Sequence, residues 1–238
     1  MAYLEERGVG FDVGVGVVPI VCGASLFDLV VGDAKCRPDK EMGYEACKNS
    51  EQENPKEGNV GAGTGASVGK FLGVERMMKG GLGIYAVEIG GLQCAAVVAV
   101  NGLGDVIDVD TGKRIAGILS EDQMALANTE EIMYAEIDKS RNVFSGNTTL
   151  GCIITNAKLT KSQATKLASI AHNGYARAIR PVHTSVDGDT IFVMATGEVE
   201  VGVDGLGALA TDVMARAINR AVLQAETAYG LKSASEFK

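Results

Sequence analysis

The sequence predicts an α+β fold in which helices cover the outer faces of β-sheets. Three observations carry the prediction: two β-rich runs separated by Gly90-Gly91, two long C-terminal segments with apolar residues at helical spacing, and 31 glycines in 238 residues, roughly twice the usual share. A Gly-Gly pair between strands signals a two-residue hairpin. An apolar stripe at three-to-four spacing needs a surface to cover, and abundant glycine implies tight turns and close backbone contacts. Hairpins beneath one-faced helices make layers.

In chain order, "YLEERG" (residues 3–8) reads as the last turns of a helix stopped by Gly8. So few residues precede that stop that most of the helix is expected to lie upstream of this chain. Residues 11–31 alternate glycine and apolar residues around Pro19. Residues 33–59 are polar, with Pro38 and Pro55, and read as a long surface connection. "GNVGAGTGASVGK" (residues 58–70) invites a phosphate-loop reading. The pattern G-x-x-x-x-G-K-[ST] fails there, because it requires glycine at 64 and Ser or Thr at 71, where the chain has Thr64 and Phe71.

Residues 82–89 and 92–100 are the two arms of the hairpin, and Asn101 closes the second arm. "GDVIDVDTGK" adds a short strand and a turn, and residues 120–140 are polar and acidic with helical character. "SGNTTLGCIIT" (residues 145–155) runs from a loop into a buried strand. Thr160 is placed to cap a helix in which Ala164, Leu167, Ile170, Ala171, Gly174, Tyr175 and Ala178 share a face. "TIFVMAT" (residues 190–196) reads as a buried strand. The last helix carries Leu209, Val213, Met214, Ala217, Ile218, Ala221, Val222 and Ala225 on one stripe.

Composition excludes several classes of function. A net charge of -8 without a Lys/Arg-rich run argues against nucleic acid or an anionic membrane as partner. No apolar run is long enough to span a membrane, and "MAYLEERGVG" lacks the apolar centre of a signal peptide, so a soluble cytoplasmic protein is expected. Five cysteines without a C-x-x-C pair fit reduced thiols better than a disulfide framework. With His172 and His183 the two histidines of the chain, and no H-E-x-x-H or Cys/His ligand spacing, neither a metal nor a cofactor is expected.

Chemistry is best placed at Asn147-Thr148. A threonine hydroxyl is a weak nucleophile until a base takes its proton, and one solution uses the threonine's own α-amine, freed by cutting the preceding peptide bond. Thr148 stands at the start of a strand behind Gly146-Asn147, residue types that accept the strained backbone a cuttable bond needs. The plainer alternative is that Asn147 is a turn residue and Thr148 only opens the strand. "VHTSVDGDT" sets Asp187 and Asp189 two apart before a strand, so in extended conformation both carboxylates face one side. Paired acids can orient a hydroxyl and an ammonium; a solvated turn around Gly188 is the alternative. Lys70 and Asn101 supply a cation and an amide donor at element ends, the groups that stabilise an oxyanion or lower a neighbouring amine's pKa.

"YLEERGVGFDVG", "GNVGAGTGASVGK", "VVAVNGLGDVID", "GNTTLGCIITNAKLTK" and "ARAIRPVHTSVDGDTIFVMATGEVE" together resemble the L-aminopeptidase/D-esterase (DmpA-like) family, and most closely its nylon-oligomer endohydrolase branch. The likeness covers nearly the whole chain in matching order. It implies a four-layer αββα sandwich, similar to N-terminal-nucleophile hydrolases, formed as a single hydrolase domain over residues 1–238. It also implies self-cleavage between Asn147 and Thr148 into a large chain, 1–147, and a small chain, 148–238, that stay together. By that resemblance Thr148 is the nucleophile, Lys70 holds down the pKa of its amine, Asn101 donates to the oxyanion, and Asp187 and Asp189 orient Thr148 and relay its proton. Tyr44, in "GYEAC", is a candidate substrate-pocket residue.

The expected partners are a small peptide, amide or oligoamide substrate and further copies of the processed chain pair, with no cofactor. An ornithine acetyltransferase-like acyl transfer and a catalytically silent binding or assembly module are the alternatives. Members of the family carry a further N-terminal segment before the "YLEERG" helix. Its absence is expected to leave a sheet edge unpaired and a face uncovered.

Overall fold

The computed structural model of the chain describes residues 1–50, 55–139 and 146–237, which group into two compact units. The first unit comprises Met1–Ser25 and Asp33–Lys56. Helix α1 (Ala2–Glu5) ends as the sequence indicates, at Gly8 in the left-handed region, with the Gly8 N–H on Glu5 O and the Val9 N–H on Leu4 O. Strands β1 (Phe11–Asp12) and β2 (Val17–Val18) pair antiparallel. The stretch read as a surface connection contains a helix, α2 (Lys40–Asn49), started by the Asp39 carboxylate accepting the Met42 N–H. It buries no residue, so it carries no apolar stripe by which to recognise it, and its Asp cap was the remaining signal. Positions 51–54 of that connection lie outside the described residues.

The second unit, Leu26–Gly32 and Glu57–Lys238, holds the layered structure. Short strands β3 (Ser67–Val68) and β4 (Met78–Lys79) pair antiparallel. The expected hairpin is β5 (Gly81–Ile89) and β6 (Leu92–Asn101), in register from Gly81↔Val100 to Ile89↔Leu92. Its turn has φ 57 at Gly90 and φ 84 at Gly91. Two successive positive φ values match the right-handed twist of the strands and suit glycine. β9 (Thr148–Ala157) pairs antiparallel with β6, and β11 (Thr190–Val199) pairs parallel with β9. The sheet order is therefore β11-β9-β6-β5. A smaller sheet orders β10 (Ile179–Arg180), β7 (Asp105–Ile107) and β8 (Arg114–Ala116) as β10-β7-β8.

One face of the large sheet is covered by α4 (Lys161–Ala178) and α5 (Val203–Leu223). α4 begins at Thr160 with a full capping box to Gln163, and Leu167, Ala171, Gly174, Tyr175 and Ala178 are its buried face. α5 lies on β5 and β6, and α4 lies on α5 and β11. Cys94, Ala96, Val98 and Val100 of β6, with Ile153 of β9, form the sheet side of this core. The alternate positions, Ile84, Val97, Leu150, Ile154, Phe192 and Met194, point to the other face, where Ile154 and Met194 are exposed.

Two expectations shift. "TIFVMAT" is a strand, but beyond Ile191 it is only partly buried or exposed, because β11 is the edge of the sheet. The helical character of residues 120–140 is confined to α3 (Thr129–Ala135), capped by Asn128. Before it, Ser120 and Asp122 close a turn, and Leu119 bridges Leu126. Residue 140 of that segment, and residue 145 of "SGNTTLGCIIT", lie outside the described residues. No helix among the described residues is long and apolar enough to cross a membrane.

Candidate active site

Sheet topology gathers the site at one end. β6 ends at Asn101, β9 starts at Thr148, and the two are direct antiparallel partners, which puts their side chains on one face with Cβ atoms about 4.5–5.5 Å apart. β11 runs parallel to β9, so its leading residues, Asp187 to Asp189, arrive at the same end. Asn147 bridges Asp187. The turn after β3 adds Lys70, whose backbone N–H donates to Leu103 O.

At the Asn147-Thr148 bond, the Thr148 hydroxyl donates to the Asn147 carbonyl oxygen at 2.5 Å. The Gly188 N–H donates to that same oxygen at 2.8 Å. The carbonyl is thus polarised by a fixed backbone donor while a hydroxyl sits beside it, the arrangement that stabilises charge developing on an oxygen under attack. A side chain at 188 would crowd the hydroxyl, since a Cβ there would lie 2.9 Å from Thr148 Oγ1.

The Asp189 carboxylate holds backbone just after this bond, and the Asp187 carboxylate holds the loop after β6. Asp187 accepts from Leu103 N–H at 3.1 Å and from the Thr184 hydroxyl at 2.5 Å. Burial raises its pKa, and Asp189 adds to the rise, against the hydrogen bonds of Thr184 and Leu103 and the charge of Lys70. Asp189 Oδ1 accepts from Thr149 N–H at 2.8 Å, and its Oδ2 lies 2.8 Å from His183 Nδ1.

Lys70 is 4% exposed and donates from Nζ to both Asn101 O and Asn101 Oδ1, each at 2.9 Å. Burial pushes its pKa down to about 7, although the carboxylates of Asp187 and Asp28 pull the other way. Asn101 Oδ1 also accepts Ser67 N–H, while Asn101 Nδ2 donates to Phe27 O at 3.2 Å and Gly146 O at 3.3 Å. The amide nitrogen therefore engages the residue before Asn147 rather than the Asn147 carbonyl.

The fold brings Lys70, Asn101, Asn147, Thr148, Asp187 and Asp189 together. Tyr44 belongs to the other unit, on α2, where its ring meets Tyr3 edge-on at 5.7 Å and its hydroxyl donates to the Glu6 carboxylate. Sequence reasoning missed Gly188 and His183. Both stand in "VHTSVDGDT", where a glycine between two aspartates reads as a turn; its N–H acquires a target only through the pairing of β9 with β11.

With this geometry in view, the comparisons are specific. The profile of peptidase family S58 matches residues 1–235. An uncharacterized aminopeptidase of Mycobacterium leprae is 37% identical over 97% of this chain and 68% of its own length. A 6-aminohexanoate-oligomer endohydrolase of Kocuria sp. is 28% identical over 89% of this chain and 63% of its own length. Among solved structures, the L-aminopeptidase D-Ala-esterase/amidase of Ochrobactrum anthropi, described as a new variant of the Ntn-hydrolase fold, superposes with TM-score 0.51 at 18% identity, over 76% of this chain and 51% of that one. That last likeness is one of fold, and it sets the α+β layering within the Ntn-hydrolase type. The chain spans about two thirds of the length of the two curated relatives and half that of the solved one. By the match along nearly its entire length, the chain belongs to peptidase family S58.

Proposed function

We propose that this chain is a self-processing hydrolase of peptide or amide bonds whose nucleophile is Thr148. The observation that carries the reading is the Asn147 carbonyl oxygen, which receives both the Gly188 N–H and the Thr148 hydroxyl. In the uncut chain, Thr148 Oγ attacks the Asn147 carbonyl carbon and the C–N bond breaks. The acyl group moves to oxygen as an ester, and the hydroxyl proton passes to the departing nitrogen. Water then opens the ester, leaving a carboxylate on Asn147 and a free amine and hydroxyl on Thr148.

Before the cut no α-amine exists to take the hydroxyl proton, and Lys70 fits that task. Two of its hydrogens are committed to Asn101, and in the neutral form, accessible because burial brings its pKa to about 7, the remaining position on nitrogen is a lone pair. Gly188 N–H stabilises the oxyanion of this step. Departure of the 146–147 end would release Asn101 Nδ2 from Gly146 O to serve a substrate's oxyanion. In the mature enzyme the Thr148 amine takes the proton as Oγ attacks a substrate amide, and water clears the acyl ester.

Small peptides, peptide amides, esters and linear ω-amino-acid oligomers form the proposed substrate class, with processed chain pairs assembling as a cytoplasmic oligomer. The hydrolase names of the matched relatives favour water over ornithine as the acyl acceptor. The test is expression of wild type and Thr148→Ala. Wild type should give two bands on a denaturing gel and hydrolyse amides with a rate unaffected by ornithine. Thr148→Ala should give one band and no hydrolysis. An uncut, active wild type would refute the reading, and a folded, uncut, inactive one would favour a silent binding module.

A further inference from the structure

The structure assigns His183 as a positioning residue for the Asn147-Thr148 bond, acting through Asp189 on the peptide that follows Thr148; this assignment rests on the self-cleavage reading. Three sets of contacts carry it. First, the Asp189 carboxylate accepts the Thr149 N–H at Oδ1, and His183 Nδ1 stands against its Oδ2 at ion-pair distance, each at 2.8 Å. The imidazole flanks the second oxygen and so restricts the carboxylate that serves the Thr149 N–H, part of the 148–149 peptide. Second, the His183 ring is itself immobilised by α4. Tyr175 stacks on it with centroids 5.9 Å apart and 29° between planes, and His172 meets it edge-on at 4.9 Å. Third, the Tyr175 hydroxyl lies 3.2 Å from both Thr149 O and Thr190 O, which share its one hydrogen. The residue after the nucleophile is thereby gripped at its N–H by Asp189 and at its carbonyl by Tyr175, and His183 joins the two grips.

The backbone supports a built position. His183 has φ 55, a region that non-glycine residues enter uncommonly, and the contacts above hold the ring once it is there. The Asp189 side chain is 4% exposed. Without the imidazole the carboxylate loses the group that flanks its second oxygen and can turn away. That turn loosens the Thr149 N–H and shifts Thr148 relative to Gly188. The contact to Asp189 is made by Nδ1; Asn places an amide nitrogen near that position and Ala places nothing there.

The test follows self-cleavage over time in wild type, His183→Ala and His183→Asn, together with hydrogen exchange of the Thr149 amide in uncut chains carrying Thr148→Ala. His183→Ala should slow scission about tenfold to a hundredfold, as removal of an orienting partner does elsewhere, and should speed exchange at Thr149. His183→Asn should recover most of both. If His183→Ala cuts at the wild-type rate, the assignment is overturned while self-cleavage stands. Equal slowing in both variants with matching losses in melting temperature overturns it too, since that is general destabilisation. If wild type does not cut, the self-cleavage reading fails, and the exchange comparison alone decides whether His183 holds the 148–149 peptide.

Discussion

Lys70 and Lys79 lie nine positions apart in the sequence and are equally removed from water, 4% and 0% exposed, yet they are satisfied differently. Lys79 Nζ donates to Gly63 O and Ala66 O at 2.9 Å and to Gly80 O at 3.2 Å, one carbonyl for each hydrogen of an ammonium. Lys70 spends its donors on two oxygens of one residue, Asn101, across the strand pair from Thr148. Burial lowers both pKa values, that of Lys70 to about 7 and that of Lys79 to about 8. A lysine with every hydrogen bonded to backbone ties loops together as a cation, whereas one with a position left over on its nitrogen can exchange a proton. Burial alone does not distinguish the two; the count of acceptors does.

The sharpest way to break this contrast is Lys70→Met, which keeps the length of the side chain and removes the proton acceptor. Self-cleavage should slow about 10²–10⁴-fold, with a smaller loss of stability than Lys79→Met, because one of the two Lys70 acceptors, Asn101 Oδ1, retains the Ser67 N–H. Cleavage at the wild-type rate would erase the difference between the lysines. Lys79→Met should do the reverse. It strands three carbonyls and should cost about 2–4 kcal/mol of stability, read by denaturant unfolding, while the folded fraction still cuts at the normal rate.

Gly188→Ala tests the partner side of the same bond. Its Cβ would press on Thr148 Oγ1, so scission should slow about tenfold to a hundredfold in a time course on gels, with thermal stability changed far less. The smallest effect is in pH. Neutral Lys70 is the accepting form, so scission should level off above its pKa of about 7 and slow as pH falls through it, by about tenfold one unit lower. A rate that instead rises toward acid would mean that the charged lysine is the working form.

How much was legible in the sequence depended on whether a residue's role is local. The hairpin was readable because Gly90-Gly91 dictates its turn, and α4 and α5 because their apolar stripes have the helical period. α2 was not, since a helix with no buried face carries no stripe, and the exposure of β11 depends on its place at the sheet edge, which composition does not encode. In the site, Thr148 and the two aspartates could be singled out from spacing. The neighbourhood of Lys70, Asn101 and Thr148 depends on the register of β6 on β9, and so emerges from pairing across 47 positions rather than from any short motif. Gly188 contributes a backbone N–H and His183 a ring wedged against α4, neither of which has a side-chain signature in sequence.

The most direct measurement is the intact mass of the purified chain under denaturing conditions, for wild type and for Thr148→Ala. Two species dividing between Asn147 and Thr148 in wild type, and one undivided species in the variant, are the predicted result. A wild-type chain that stays in one piece while hydrolysing amides would contradict the claim that Thr148 becomes the nucleophile by freeing its own amine.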